Sequence, residues 1–148
     1  MKGILLCNVM TISVAAAQTP DMKGDWIGRT NTLIAGAGGA HWPDSKAAWE
    51  KPLRAQRDIT LRIVGQDGRR LRGESIIAGD EASGGRVTTE PFIGTASKAG
   101  DKVMMADTDG YFVEDLSDTT LAYCYLLAGV RQANDEPAII SCNDVTKR

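Results

Sequence analysis

The chain has 148 residues, of which 17 are Lys or Arg and 19 are Asp or Glu, for a net charge of −2. This balance does not favour nucleic acid or an anionic membrane as a partner, because both select a basic surface. The length predicts one domain with a single core, built from the 43% of residues that are hydrophobic.

The N-terminus has the pattern of a secretory leader. Lys2 gives a short positive region, residues 4–14 are mostly apolar, and Ala15-Ala16-Ala17 supplies the small residues that precede a cleavage site. The apolar run is shorter than the roughly 20 residues of a membrane-spanning helix. We therefore predict a signal peptide at 1–17, cleaved near Ala17, and a mature domain at 18–148 that is periplasmic or secreted. A buried N-terminal strand is the alternative.

The first predicted strand covers 24–34, where apolar and polar residues alternate with a period of two. A long irregular stretch, 35–57, follows it. Asp44 or Ser45 can cap one short helix over 46–50 within this stretch. Irregular segments of this length in small domains are usually functional or disordered, and we expect function here because the stretch holds two tryptophans.

Seven further strands follow, separated by turn residues. Asp67-Gly68 predicts a tight hairpin turn, because glycine tolerates a positive φ. Pro91 predicts an edge or a bulge in its strand, because it has no N–H to donate. The seven predicted strands are Asp58–Gln66, Arg69–Ile77, Thr89–Ser97, Lys102–Ala106, Tyr111–Leu116, Thr119–Leu127 and Ala138–Thr146.

These elements predict an all-β fold, an eight-stranded antiparallel up-and-down meander barrel with one long first loop. An open sandwich of the same strands is the alternative. A barrel of this size is either filled by side chains or holds one small ligand. Small residues at Gly73, Ser75, Gly94 and Ala96 on the inward faces favour a cavity.

Cys124 and Cys142 remain after removal of the leader, and an even number of cysteines in an exported chain predicts a disulfide. If the strands around them form a hairpin centred near Ala133, the two residues lie opposite each other. The chain-entropy model assigns about 3 kcal/mol to a loop of this length. The role is structural, because the Cys-x-x-Cys spacing of redox sites is absent.

Aromatic side chains are the leading ligand-binding candidates. Trp42 and Trp49 lie within 35–57, where an aromatic residue can act as a lid or as an anchor for a partner. For Tyr123 and Tyr125, core packing is the alternative. The predicted ligand-binding residues are His41, Trp42, Trp49, Tyr111, Tyr123 and Tyr125.

No catalytic or metal site is predicted. His41 is the only histidine, which leaves too few ligands for zinc, and no Gly-x-Ser-x-Gly frames a nucleophile. The segment 107–110 begins like a calcium loop, with Glu114, Asp115 and Asp118 nearby, but it lacks the third acidic position of an EF-hand. A turn between strands requires the same Asp and Gly residues. We expect no cofactor and no metal.

Gly24-Asp25-Trp26 at the start of the first strand, followed by a long loop and a meander, resembles the lipocalin and avidin group of small barrels. The resemblance implies that Trp26 closes one end of the barrel and that the long loop lies over the other. Thr108-Asp109 is similar to a turn of lipocalins. No C-terminal helix and no basic residue packed on Trp26 are predicted, and biotin binding is not implied.

The expected function is that of an exported, non-enzymatic, lipocalin-like binding protein for a small apolar or amphipathic ligand, with Trp42 and Trp49 over the mouth. The alternative is a periplasmic protein-interaction or enzyme-inhibitor module that uses the 35–57 loop to contact a partner.

Overall fold

The computed structural model describes residues 19–37, 42, 45–81, 83–117, 119–128 and 138–148, and their strands form a closed antiparallel barrel. The predicted leader, His41 and Asp118 lie outside the described residues. The strands are β1 (Gly24–Arg29), β2 (Thr32–Ala37), β3 (Lys46–Ala47), β4 (Leu53–Ala55), β5 (Asp58–Asp67), β6 (Arg70–Ile77), β7 (Thr88–Ala96), β8 (Lys102–Ala106), β9 (Tyr111–Leu116), β10 (Thr120–Ala128) and β11 (Ala138–Lys147).

The barrel has eight strand positions, and two of them are each occupied by two consecutive strands. β1 and β2 lie end to end along β11, and β4 and β5 lie end to end on their other side. From β5 to β11 every strand pairs with the next, and the pairing of β11 with β1 closes the sheet. The predicted all-β, eight-stranded antiparallel meander is confirmed.

The seven strands predicted after residue 57 agree with the structure to within one residue at each end. Gly68 adopts a φ of +55° in the turn between β5 and β6, as the hairpin prediction requires. Pro91 lies in the part of β7 that pairs with β6 only, since the pairing with β8 begins at Ile93. Pro91 therefore has a neighbouring strand on one side only, and the N–H that it lacks is not needed for pairing on the other side.

The stretch 35–57 is more regular than predicted, and the short helix over 46–50 was wrong. β2 continues to Ala37, and β3 pairs with its end, Ala47 opposite Gly36. Only one turn follows, in which the Lys51 N–H donates to the Ala48 carbonyl. A five-residue helix gains too few hydrogen bonds to offset its nucleation, whereas the free edge of β2 supplies partners for the same backbone.

In both positions that hold two strands, a gap of two residues separates the two strands, and the two gaps lie at the same level of the barrel. The gap between β1 and β2 is at residues 30–31, and the gap between β4 and β5 is at residues 56–57. Two hydrogen bonds link the interruptions. The Thr30 N–H donates to the Arg57 carbonyl (2.8 Å), and the Arg57 N–H donates to the Thr30 hydroxyl (2.9 Å).

One end of the barrel, here called the Trp26 end, is closed by the segment that precedes β1. The Trp26 indole N–H donates to the Met22 carbonyl at 2.9 Å. The Gln66 side chain accepts from the Met22 N–H and donates to the Pro20 carbonyl. Lys147 lies over the Trp26 ring, 5.6 Å from its centroid, so the expectation that no basic residue packs on Trp26 was wrong.

The small inward residues leave less space than the sequence suggested, because neighbouring side chains fill it. A Cβ on Gly73 would lie 2.5 Å from the Phe92 ring, and one on Gly94 would lie 2.7 Å from the Met105 side chain. Phe92, Phe112 and both inward tyrosines of β10 belong to one buried cluster. The interior is therefore mostly packed.

The predicted disulfide is present. Cys124 and Cys142 are directly opposite in the β10–β11 pair, with Cα atoms 4.0 Å apart, and both side chains face outward. In the described part of the chain no helix has the length and hydrophobicity to cross a bilayer.

Candidate functional site

Three of the predicted ligand-binding residues, Trp42, Tyr123 and Tyr125, meet at a small cavity at the other end of the barrel, here called the Trp42 end. The space in which the centre of a water molecule can lie has a volume of about 20 Å³. This is enough for one or two waters. The lining residues are Thr30, Thr32, Trp42, Ile59, Ser75, Ile77, Phe112, Tyr123, Tyr125, Ser141 and Asn143.

Strand alternation explains why polar and aromatic side chains share this space. Tyr123 and Tyr125 are two residues apart on β10 and therefore point inward together. Directly opposite them on β11 stand Asn143 and Ser141. Thr32 pairs with Ser141 from the other side. Five neighbouring inward positions thus carry hydrogen-bonding groups.

The hydroxyls of the cavity wall bond to one another. Thr32 and Ser141 share a hydrogen bond of 2.8 Å, and the Ser141 hydroxyl donates to the Asn143 side-chain oxygen at 2.9 Å. The same oxygen accepts from the Asn31 N–H at 2.7 Å. This network fixes the polar wall and satisfies most of the groups that burial would penalise.

Trp42 lines the cavity and is only 2% exposed. The Arg57 guanidinium lies over its ring at 4.3 Å from the centroid. Arg57 in turn makes a bidentate ion pair with Asp80, through Nε at 2.8 Å and Nη2 at 2.9 Å. We call Trp42, Arg57 and Asp80 the lid.

Electrostatic contacts of Arg57 with Asp80 and with the Trp42 ring hold the lid together. A backbone hydrogen bond from Ser83 is the main cause that keeps the pKa of Asp80 below its ordinary value, and the side chains of Ser83 and Arg57 act in the same direction. Asp80 therefore stays ionised at neutral pH and retains Arg57. The cation–π contact keeps Trp42 in place without burying an unpaired charge.

Beside Tyr123 lies a buried carboxyl that the sequence prediction missed. Glu114, 1% exposed, stands directly opposite Tyr123 in the β9–β10 pair. Burial raises the pKa of Glu114 to about 8 and raises the pKa of Tyr123 as well. Among the described residues, neither oxygen of the Glu114 carboxyl has a hydrogen-bond partner. The inward position of Glu114 could have been predicted from the alternation of β9, which places Glu114 on the same face as Phe112.

A second polar group borders Tyr125. Its hydroxyl donates to Asp109 at 2.7 Å, and burial is the main cause that raises the pKa of Tyr125. Glu90, Asp107 and Asp109 each place a carboxylate oxygen within 4.8 Å of the others. Asp107 accepts from the Gly110 N–H at 2.7 Å, as expected of the predicted turn. Sequence proximity could not reveal that Glu90 joins these residues from β7.

Two further predicted residues, Trp49 and Tyr111, lie elsewhere. Trp49 is exposed in the turn after β3, and Tyr111 is exposed on the outer face of β9; neither lines the cavity. In the described structure, three of the six predicted ligand-binding residues therefore line the same cavity.

Comparison of this chain with protein-family models, with curated proteins and with solved structures found no match. The architecture is compatible with a calycin-like barrel, and the motif Gly24-Asp25-Trp26 lies at a barrel end.

Proposed function

We propose that this protein is an exported, non-enzymatic binding protein that takes a small amphipathic molecule into the space beneath Trp42. The observation that carries the proposal is the cavity itself, with an aromatic lid above and a hydrogen-bonded polar wall below. Concave sites that combine apolar walls with a few convergent polar groups are typical of small-molecule binding.

The lining indicates the chemistry of the ligand. Ile59, Ile77 and Phe112 offer apolar contact, while Thr32 and Tyr123 offer hydroxyls. A molecule with one hydroxyl or amide and a short hydrocarbon part matches both. The cavity volume of about 20 Å³ is too small for a lipid chain, and a ligand larger than water is proposed to enter by displacing Trp42.

Trp42 suits such displacement because it lies outside the strands of the sheet. Its retention depends on the Arg57 contact with Trp42 and on the Arg57–Asp80 ion pair. Displacement of Trp42 breaks the cation–π contact but does not require the buried Arg57 to separate from the partly exposed Asp80. Opening therefore costs less than separating two strands.

Binding rather than catalysis is favoured by the partners of the Ser141 hydroxyl. Ser141 is bonded to Thr32 and to an amide oxygen of Asn143. None of these groups is a base that could activate a nucleophile. Export is supported by the leader pattern and by the disulfide, which persists in oxidising compartments.

Tryptophan fluorescence tests the proposal. The mature chain with Trp49→Phe would be titrated with 1-butanol, cyclohexanol and benzyl alcohol, and with palmitate as a long-chain comparison. We expect at least one alcohol to shift the combined emission of the remaining Trp26 and Trp42, and palmitate to leave it unchanged. Thr32→Val should weaken the apparent affinity about fivefold, since one hydrogen bond is worth ~1 kcal/mol.

Thr89→Val is the matched control, because Thr89 is exposed on β7. It should respond like the parent protein. The proposal fails if no alcohol alters the emission, or if Thr32→Val and Thr89→Val respond equally.

A second candidate is protein interaction through the 35–57 segment, favoured by the exposure of Trp49. In that case Trp49→Ala would abolish capture of a specific periplasmic or extracellular protein and leave the alcohol titration unaffected.

A further inference from the structure

Glu114 is a buried carboxyl that the proposed function does not use. It is 1% exposed, and neither of its carboxyl oxygens has a hydrogen-bond partner among the described residues. Buried polar side chains in folded proteins nearly always have a partner, because an unpaired polar group inside the protein costs free energy. The Glu114 carboxyl is therefore placed to bind a group from outside the chain.

The strand register places Glu114 in one row with two residues of the cavity wall. Glu114 is directly opposite Tyr123, and Tyr123 is directly opposite Asn143, so the row crosses β9, β10 and β11. Tyr123 and Asn143 line the cavity, as does Phe112, the next inward residue of β9 toward the Trp42 end. Two residues along a strand span roughly 7 Å, which is close to the length of a butyl chain with its head group. A ligand of that length spans the distance from the level of Phe112 to the level of Glu114.

Among the described residues, no cation is available to pair with Glu114. The buried charged side chains in this part of the chain are Arg57, Glu90 and Glu114. Arg57 is paired with Asp80 in the lid, so it does not leave a net positive charge at the Trp42 end. Glu90 stands opposite Ser75, also near the Trp42 end. A positive partner for Glu114 therefore has to be supplied by the ligand.

The side chains that face Glu114 from the neighbouring strands are Val103 on β8 and Tyr123 on β10. Val103 is apolar, and burial raises the pKa of Tyr123, so neither carries a charge near neutral pH. Burial also raises the pKa of Glu114 to about 8. Glu114 is therefore the group that titrates near neutral pH at this level of the barrel.

The cavity offers aromatic rings to a positive charge. Trp42, Phe112, Tyr123 and Tyr125 line it, and the Phe112 ring centroid lies 5.7 Å from that of Tyr123 and 4.9 Å from that of Tyr125. Cations are attracted to the faces of aromatic rings, and an ammonium group brings three N–H donors and no acceptor. A carboxylate beside aromatic rings therefore matches a protonated amine better than it matches an alcohol or an acid.

We propose that Glu114 binds the ammonium group of a small primary amine whose hydrocarbon part occupies the space beneath Trp42. The inference rests on the proposed function, because the amine enters the same space, and it names the class of ligand. On binding, the Glu114 carboxyl releases its proton to solvent and forms an ion pair with the ammonium group. The buried pair has no net charge, and the N–H donors satisfy the carboxylate oxygens.

Isothermal titration calorimetry of the mature chain with 1-butylamine and with 1-butanol tests the inference. An alkylamine keeps its proton up to about pH 10, as the Lys side chain does. The affinity for 1-butylamine should therefore rise about fiftyfold between pH 6 and pH 8, as Glu114 ionises. Measured in two buffers of different ionisation enthalpy at pH 7, binding of 1-butylamine should release about one proton. Binding of 1-butanol should release none.

Glu114→Gln keeps the shape of the side chain and removes its charge. At pH 8 this variant should bind 1-butylamine about tenfold more weakly than the wild type or worse, because a hydrogen bond to a charged group is stronger than one to a neutral group. It should bind 1-butanol as the wild type does. Glu50→Gln, at an exposed glutamate, is the matched control and should bind both compounds like the wild type.

The outcomes separate this inference from the proposed function. Binding of 1-butanol without binding of 1-butylamine, or equal affinities of Glu114→Gln and Glu50→Gln for 1-butylamine, would overturn the inference alone. An affinity for 1-butylamine that does not rise with pH, or binding without proton release, would do the same. Failure of both compounds to bind would count against the proposed function as well. The proton count uses the wild type, so it decides the matter even if Glu114→Gln does not fold.

Discussion

Glu114 should make the free energy of unfolding fall as the pH rises, whereas most carboxylates in folded proteins make it rise. Its pKa rises from an ordinary 4.5 to about 8 in the folded chain because burial disfavours the charged form. The folded state therefore holds a proton that the unfolded state releases as pH rises above 4.5. The contribution of Glu114 to stability falls through this interval and is lost fully above pH 8.

The magnitude follows from the two pKa values. Each pH unit between them costs about 1.4 kcal/mol. Glu114 thus lowers the free energy of unfolding by ~3 kcal/mol at pH 7 and by ~5 kcal/mol above pH 8, relative to pH 4.5. Glu114→Gln has the same shape as the protonated carboxyl and does not ionise, so it removes this loss.

Urea denaturation at a series of pH values between 4.5 and 8 checks the prediction. Wild type and Glu114→Gln should have similar free energies of unfolding at the acidic end, and the variant should become progressively more stable toward pH 8. Other titrating groups affect both proteins equally, so the difference isolates Glu114. Glu50→Gln, at an exposed glutamate, should follow the wild type.

A difference between Glu114→Gln and wild type that stays constant across this pH interval would refute the reasoning. It would mean that the buried carboxyl is ionised in the folded state.

Three further outcomes are expected. Replacing Cys124 and Cys142 by serine should lower the free energy of unfolding by about 3 kcal/mol without opening the barrel, measured by urea denaturation with far-ultraviolet circular dichroism as the check on fold. Gly73→Ala should destabilise the protein by roughly 2–4 kcal/mol, because the added Cβ meets a backbone oxygen at 2.2 Å and the Phe92 ring at 2.5 Å; an unchanged melting temperature would contradict that contact. Trp26→Phe should cost about 1–2 kcal/mol, because the variant leaves the carbonyl at the Trp26 end without its donor, and a thermal melt identical to wild type would show that the hydrogen bond contributes nothing.

The part of the fold after residue 57 could be predicted because its strands carry their own signals. Inward and outward residues alternate, and each turn has glycine or aspartate where the backbone requires it, as at Gly68. The disulfide followed from the same pattern, since a hairpin centred near Ala133 fixes the register of Cys124 and Cys142.

The region 35–57 could not be predicted in the same way. β3 and β4 are two and three residues long, too short for alternation to be visible. They exist because β2 offers an edge, which is a tertiary property. A local helix signal at 46–50 was therefore outweighed by pairing with Gly36 and Ala37.

The site was predictable in its aromatic members and not in its polar ones. Tyr123 and Tyr125 were evident as scarce aromatic residues on one strand. The inward position of Glu114 was visible in the alternation of Tyr111–Leu116, but Glu114 was considered only as a carboxylate near the 107–110 segment. The remaining volume depended on how Phe92 and Met105 occupy the space beside glycines, which residue types alone do not specify.

The paired interruptions at residues 30–31 and 56–57 have a mechanical consequence. Sheet stiffness depends on uninterrupted ladders, and here two adjacent ladders stop at one level, bridged by Thr30 and Arg57. Arg57 both bridges these two interruptions and lies over Trp42, so a backbone shift at this level would also move the contact beside the cavity.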